Sequence, residues 1–200
     1  SSHQLLDTAI LMSITTGMRL GEVCGLQYGD IQPAFHQCVI YRTVSIAYNH
    51  HTHHTFLTVT LPKTIHSQRN IPLHKSVEEK LLRLYRHGQK QVDRYIFSDS
   101  INPLHPNVLR KHYQHTLRAL GLPVLRFHAL RHTFATQCIE SGCDVKTLST
   151  ILGHSNVQTT FNLYVHPSME QKQKCLDNMM DYVLHKETCV RSAKDCAGNR

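Results

Sequence analysis

Several features are scarce in this chain of 200 residues, and each scarcity narrows what the chain can be. No apolar run approaches the roughly 20 residues that cross a bilayer, so no transmembrane helix is expected. The first residues lack the charged-then-apolar form of a secretory leader. The seven cysteines, Cys24, Cys38, Cys138, Cys143, Cys175, Cys189 and Cys196, are odd in number and contain no CxxC pair. A regular disulfide framework is therefore not expected, and reduced thiols in a soluble, cytoplasmic protein are the simplest expectation. Acidic side chains are also few, 14 Asp and Glu against 22 Lys and Arg, for a formal charge of +8. With a pI near 9.2, such a chain suits a polyanionic partner, although ribosomal, membrane-surface and nucleic-acid-binding proteins share that balance.

What is present begins with enough apolar content, 40%, to bury the core of one domain. Residues His3 to Ile14 read as a helix with Leu5, Leu6, Ala9, Ile10 and Met12 on its apolar side, broken by Gly17. Arg19 to Leu26 reads as a second helix, which sets Arg19 and Glu22 three residues apart on a shared side. Alternation and β-branching then predict three strands, CVIYRTVSIAY, TFLTVTLP and QRNIPL, in a small three-stranded antiparallel sheet. Between the first two lies NHHTHHT, with His50, His51, His53 and His54. Such a run is a possible metal chelator, but without helical HxxxH spacing, a nearby cysteine or an acidic companion it reads as a polar loop tip.

Ser76 and Glu79 are spaced as a capping box at the head of SVEEKLLRLYRHGQK. A short strand is expected at Tyr95 to Phe97, and a helix over 105–120 whose Arg, Lys and His residues suit either a phosphate backbone or solvent. From Arg126 the chain reads RFHALRHTFATQCIESGCDVKTLSTILGHSNVQTTFNLYVHP. His128 and Arg131 are one helical turn apart beside the stripe Leu130, Phe134 and Cys138. Gly142 closes this helix, Asp144 caps the next and Gly153 stops that one before His154. A last short helix carries Tyr164. Beyond Pro167, MEQKQKCLDNMMDYVLHK reads as an amphipathic helix with Met169, Leu176, Met179, Met180 and Val183 as its apolar contacts, followed by a polar tail.

The ordered set TGMRLGE, HALRHTFAT, ILGHS and TTFNLYVH resembles the tyrosine recombinases, also called the phage integrase family. The resemblance covers about Leu5 to Lys186. It implies an α+β, mostly α-helical catalytic-domain fold over 1–186 with a polar tail over 187–200, and an N-terminal core-binding domain that this chain does not include. It also implies cleavage and rejoining of double-stranded DNA through a 3′-phosphotyrosyl intermediate. Arg19 and Arg131 would hold the phosphate, since guanidinium stays protonated and its fork engages two oxygens at once. Tyr164 would be the nucleophile and Lys63, in LPKTIHSQRNIPL, the general acid. His128 would assist proton transfer around the nucleophile or orient the phosphate, His154 would hydrogen-bond a non-bridging oxygen, and Glu22 would orient the others. His132 reads as supporting structure, and Tyr85 and Tyr113 as packing residues.

No metal and no cofactor is expected by resemblance. Partners implied are DNA, a homo-tetramer joined by the C-terminal helix, and accessory DNA-bending or excision factors, in a bacterial cytoplasm. An integrase or transposase of a prophage or conjugative transposon is the expected function. A type IB topoisomerase or a chromosome-dimer resolvase has the same residue kit, and a non-catalytic DNA-binding module is the alternative from another class.

Overall fold

The structure, a computed structural model, describes residues 2–61, 68–87, 91–154, 156–164, 169–170, 173 and 176–181. It divides into two units, Ser1–Tyr164 and Val165–Arg200. The first is built around helix α1, Ser2–Thr16, which packs against α2 (Leu20–Cys24), α3 (Lys75–His87), α4 (Pro106–Ala119) and α5 (His128–Glu140). Contact on several sides explains why α1 carries apolar residues well beyond one stripe. Ala9, Met12, Ser13 and Thr16 are all buried in it. Around α1 the core gathers Met18, Leu26, Ile71, Leu81, Ile96 and Leu109, each at most 2% exposed. A smaller cluster, Ala135, Leu148 and Leu152, joins α5 to α6 (Val145–Leu152). Helix α7, Val157–Tyr164, packs against both.

The β-structure is divided differently from the sequence reading. The run CVIYRTVSIAY is two strands, β2 (Gln37–Ile40) and β3 (Thr43–Asn49), because Tyr41 and Arg42 leave the ladder. The Arg42 guanidinium turns to Asp30 and to the carbonyl of Gly25, so a side-chain demand ends the strand. A three-stranded antiparallel sheet does form, in the order β1-β2-β5, from Ile31–Gln32, β2 and Arg69–Pro72. Strand β3 pairs separately with β4, His54–Thr60, as a two-stranded ribbon with Thr43 opposite Thr60 and Asn49 opposite His54.

Two further expectations are corrected. Ser76 lies inside α3, which begins at Lys75, and its backbone N–H donates to His74 Nδ1 at 3.3 Å in place of a capping box with Glu79. The strand at Tyr95 to Phe97 is reduced to one bridge, Gln27 with Tyr95, and a hydrogen bond from Ile96 N–H to Leu26 O. Elsewhere the local signals hold. Pro106 opens α4 behind His105, whose Nδ1 accepts from Asn107 N–H at 3.1 Å. In the second unit, residues 169–170, 173 and 176–181 have helical backbone, and Met169, Leu176, Met179 and Met180 are exposed. Val183 and the tail over 187–200 lie outside the described residues. Among the described residues no helix is long and apolar enough to cross a membrane.

Candidate active site

The site grows from the first turn of α2. Glu22 is 4% exposed, so its carboxylate needs partners in the protein. Four donors supply them: the backbone N–H and Nη1 of Arg19 at 2.8 and 2.9 Å, and Nη1 and Nη2 of Arg69 at 2.9 and 2.7 Å. Burial alone would raise the Glu22 pKa, but the bonds and charges of Arg69 and Arg19 outweigh it and hold the carboxyl below its ordinary range. The Arg69 contact is a fork-to-fork pair, the strongest form an ion pair takes.

Helix α6 supplies the opposite wall. Asp144 caps it, accepting from Thr147 N–H at 2.9 Å, and Gly153 ends it at φ 65. Gly153 N–H bonds Thr150 O and His154 N–H bonds Ser149 O, which satisfies two terminal carbonyls. The next three receive guanidinium groups. Arg69 Nε donates to Ile151 O at 2.7 Å, Arg131 Nη2 to Leu152 O at 2.8 Å, and Arg19 Nη2 to Gly153 O at 3.2 Å. Unpaired carbonyls and the negative end of the helix dipole favour cations at this spot. Three arginines from distant parts of the chain are thereby fixed at one helix end.

Arg131 is the most deeply placed, 2% exposed, with Nη1 also donating to Gly17 O at 2.8 Å. Gly17 sits at φ 66, where a Cβ would come within 2.5 Å of Phe134 Cδ1, so the turn that presents this carbonyl requires glycine. His128 opens α5 one turn before Arg131 and is exposed. Partial burial, then the charges of His132, Arg131 and Arg19, lower its pKa. Its ring meets that of His132 edge-on at 4.8 Å. His154 Nδ1 lies 2.7 Å from Thr160 Oγ1, which is fully buried on α7. Burial, with the charges of Arg131, Arg19 and Arg69, lowers the His154 pKa to about 4, so its imidazole is neutral at pH 7.

Arg19, Arg110, Arg126, Arg131 and His128, with Gln114, line an open cleft of about 420 Å³. No carboxylate lines it, so it suits an anion. Of the residues singled out from sequence, Arg19, His128 and Arg131 line this cleft, Glu22 is bonded to Arg19 behind it, and His154 lies in the field of the same arginines. Lys63 lies outside the described residues. Tyr164 is the last residue of α7, and its side chain lies outside them too. Sequence reasoning missed Arg69 and Thr160. Arg69 had a signal: in RNIP it alternates with Ile71 on the inward face of β5, and a buried arginine must be paired. The clustered His50, His51, His53 and His54 are exposed on the β3–β4 ribbon.

Solved structures share this architecture. The integrase of transposon Tn1549, solved in complex with circular intermediate DNA, superposes with a TM-score of 0.67 over 86% of this chain and 58% of that one, at 22% identity. The XerA recombinase gives 0.61 over 89% and 62%, at 20% identity. The sequence takes the assignment further. Residues 2–171 match the model of the phage integrase family, and the chain belongs to that family. It is 30% identical over 193 residues to a XerC-like tyrosine recombinase of Caldanaerobacter subterraneus, covering 88% of this chain and 49% of the relative. It is 25% identical to the ICEBs1 integrase of Bacillus subtilis, with coverages of 88% and 49%. Transposase A of transposon Tn554 from Staphylococcus aureus is 29% identical over 193 residues, with coverages of 92% and 50%. The chain thus spans about half the length of these relatives.

Proposed function

We propose that residues 1–186 are the catalytic part of a site-specific DNA recombinase that integrates and excises a mobile element. The observation that carries this reading is the convergence of Arg19 and Arg131 at the end of α6, beside a neutral His154 and an anion-compatible cleft. A phosphodiester under attack gathers negative charge on its non-bridging oxygens, and pre-positioned guanidinium groups offset it without reorganising. Arg19, whose side chain is 41% exposed, has room to reach a phosphate while anchored to Glu22. When Thr160 donates to His154 Nδ1, the proton resides on Nε2, which becomes the donor to a phosphate oxygen.

Tyr164 then attacks phosphorus through its phenolic oxygen. The 5′-oxygen of the next nucleotide leaves and takes a proton from Lys63. The product is a 3′-phosphotyrosyl bond and a free 5′-hydroxyl, so a second strand's hydroxyl can reverse the step with little change in bond energy. His128 helps move the phenolic proton, and Glu22, fixed by Arg69, keeps Arg19 in register. Exchange between two duplexes calls for four protomers, with the segment after Tyr164 linking neighbours.

The test uses a pool of nicked suicide duplexes of randomised sequence, incubated with the protein in EDTA and resolved by denaturing electrophoresis. A covalent adduct with the natural chain and none with Tyr164→Phe is expected. Binding without any adduct would return the chain to a DNA-binding module. Relaxation of supercoiled DNA by single protomers, with no exchange between defined sites, would favour a topoisomerase.

A further inference from the structure

The turn joining α5 to α6 closes with two hydrogen bonds, Cys143 N–H to Cys138 O at 2.9 Å and Gly142 N–H to Ile139 O at 3.0 Å. Gly142 between them stands at φ 93. This pair, six residues back to one and five back to two, is the Schellman ending of a helix, which brings the backbones of the first and sixth residues together and is frequently accompanied by an apolar contact between their side chains. Here both of those residues are cysteine. Each is a free, half-buried thiol, and both pack against the cluster of Ala135, Leu148 and Leu152. A disulfide needs two backbones held close with converging Cβ vectors, and the six-to-one hydrogen bond enforces that closeness.

We propose that Cys138 and Cys143 form an oxidisable dithiol, a modification site that closes to a disulfide across the α5–α6 corner. With a low-molecular-weight disulfide such as oxidised glutathione, the thiolate of one cysteine attacks a glutathione sulfur and releases one glutathione thiol. The second cysteine then attacks the protein sulfur of the mixed disulfide and releases the other. Two protein thiols are oxidised, one glutathione disulfide is reduced to two thiols, and the two protons leave with them. Burial, then the neighbouring Cys143, pushes the Cys138 thiol up, and burial with Asp144 does the same to Cys143. Few thiolates are therefore present at neutral pH, and the pair rests reduced until an oxidant persists. The bond would fasten the helix carrying His128 and Arg131 to the helix whose end holds Arg19, Arg69 and Arg131.

The experiment oxidises the full chain with oxidised glutathione, blocks remaining thiols, digests with trypsin without reduction and weighs the peptide 132–146, which contains both cysteines. The expected peptide is lighter by two hydrogens than its dithiol form and regains them with dithiothreitol. Under the same treatment, Cys143→Ser is expected to retain one glutathione on Cys138, because no partner remains to displace it. A natural peptide carrying glutathione on either cysteine, or remaining a dithiol where the Cys143→Ser variant is modified, would overturn the proposal. The natural chain alone decides the first point, whatever the variant does to folding.

Discussion

The end of α6 and the β3–β4 ribbon are both crowded with cationic or potentially cationic side chains, yet they are opposite in kind. At the helix end, Arg19, Arg69 and Arg131 come from three remote segments, and each meets at least one backbone carbonyl there. On the ribbon, His50, His51, His53 and His54 are near neighbours in sequence, all exposed, and the turn is shaped locally by Asn49 Oδ1 accepting from His51 and Thr52 N–H. Among the described residues no group of three or more His, Cys, Asp or Glu is placed to hold a metal ion. Crowding along the chain thus leaves exposed groups with local partners, His50 and His53 both meeting the Tyr48 ring, whereas convergence in space produces a shared field. Burial together with that field lowers the pKa of His154 to about 4.

The largest loss of stability is expected at Glu22. Glu22→Ala leaves the guanidinium of Arg69, 7% exposed, without its carboxylate, and a loss of about 3–5 kcal/mol in urea unfolding is expected. A loss below 1 kcal/mol would show that the pair does not hold the corner together. Gly153→Ala comes next. Its φ of 65 costs an L residue about 1–2 kcal/mol, and its new Cβ would lie 2.9 Å from Arg69 Cδ. Gly121→Ala, at φ 67 with nothing within 4 Å, incurs the backbone cost alone and serves as the reference. The two variants should separate in thermal melting, with Gly153→Ala the lower.

Acid has a smaller effect. The His154 imidazole takes up its proton at about 4 in the folded chain and at about 6.5 in the unfolded one. The unfolded state therefore binds more protons between these values, and stability falls as pH drops through that window. Glu22, held below its ordinary value, adds to the loss further down as it is finally protonated. Chemical denaturation at pH 7 and pH 5 should show this decline in the natural chain and a weaker one in His154→Gln. The smallest effect is expected on the ribbon, where His51→Ser should change stability by less than about 0.5 kcal/mol. A larger change would mean that the histidine cluster has partners that local geometry does not provide.

Much of the region from His128 to Gly153 was legible because its signals are local. The Asp144 cap, the left-handed Gly142 and Gly153, and the one-turn spacing of His128 and Arg131 depend only on a few consecutive residues and on helix geometry. Family resemblance then attached roles to Arg19, His128, Arg131, His154 and Tyr164. Less was legible in the β region, where Arg42 breaks a run that alternation alone would continue, because its partner Asp30 belongs to another segment. Ser76 does not cap α3 for a related reason: His74, two residues earlier, takes its backbone N–H at the start of the helix.

Neighbours along the chain were enough, then, to place the ends of α5 and α6 and the order of the motifs. Only the tertiary structure decided that the last carbonyls of α6 would gather three guanidinium groups, that Arg69 would join them through Glu22, and that Thr160 would face His154. The physical reason is that caps and turns are satisfied by neighbours within a few residues. A buried charge accepts whichever opposite charge or dipole packing brings to it, and that partner has no fixed place along the chain.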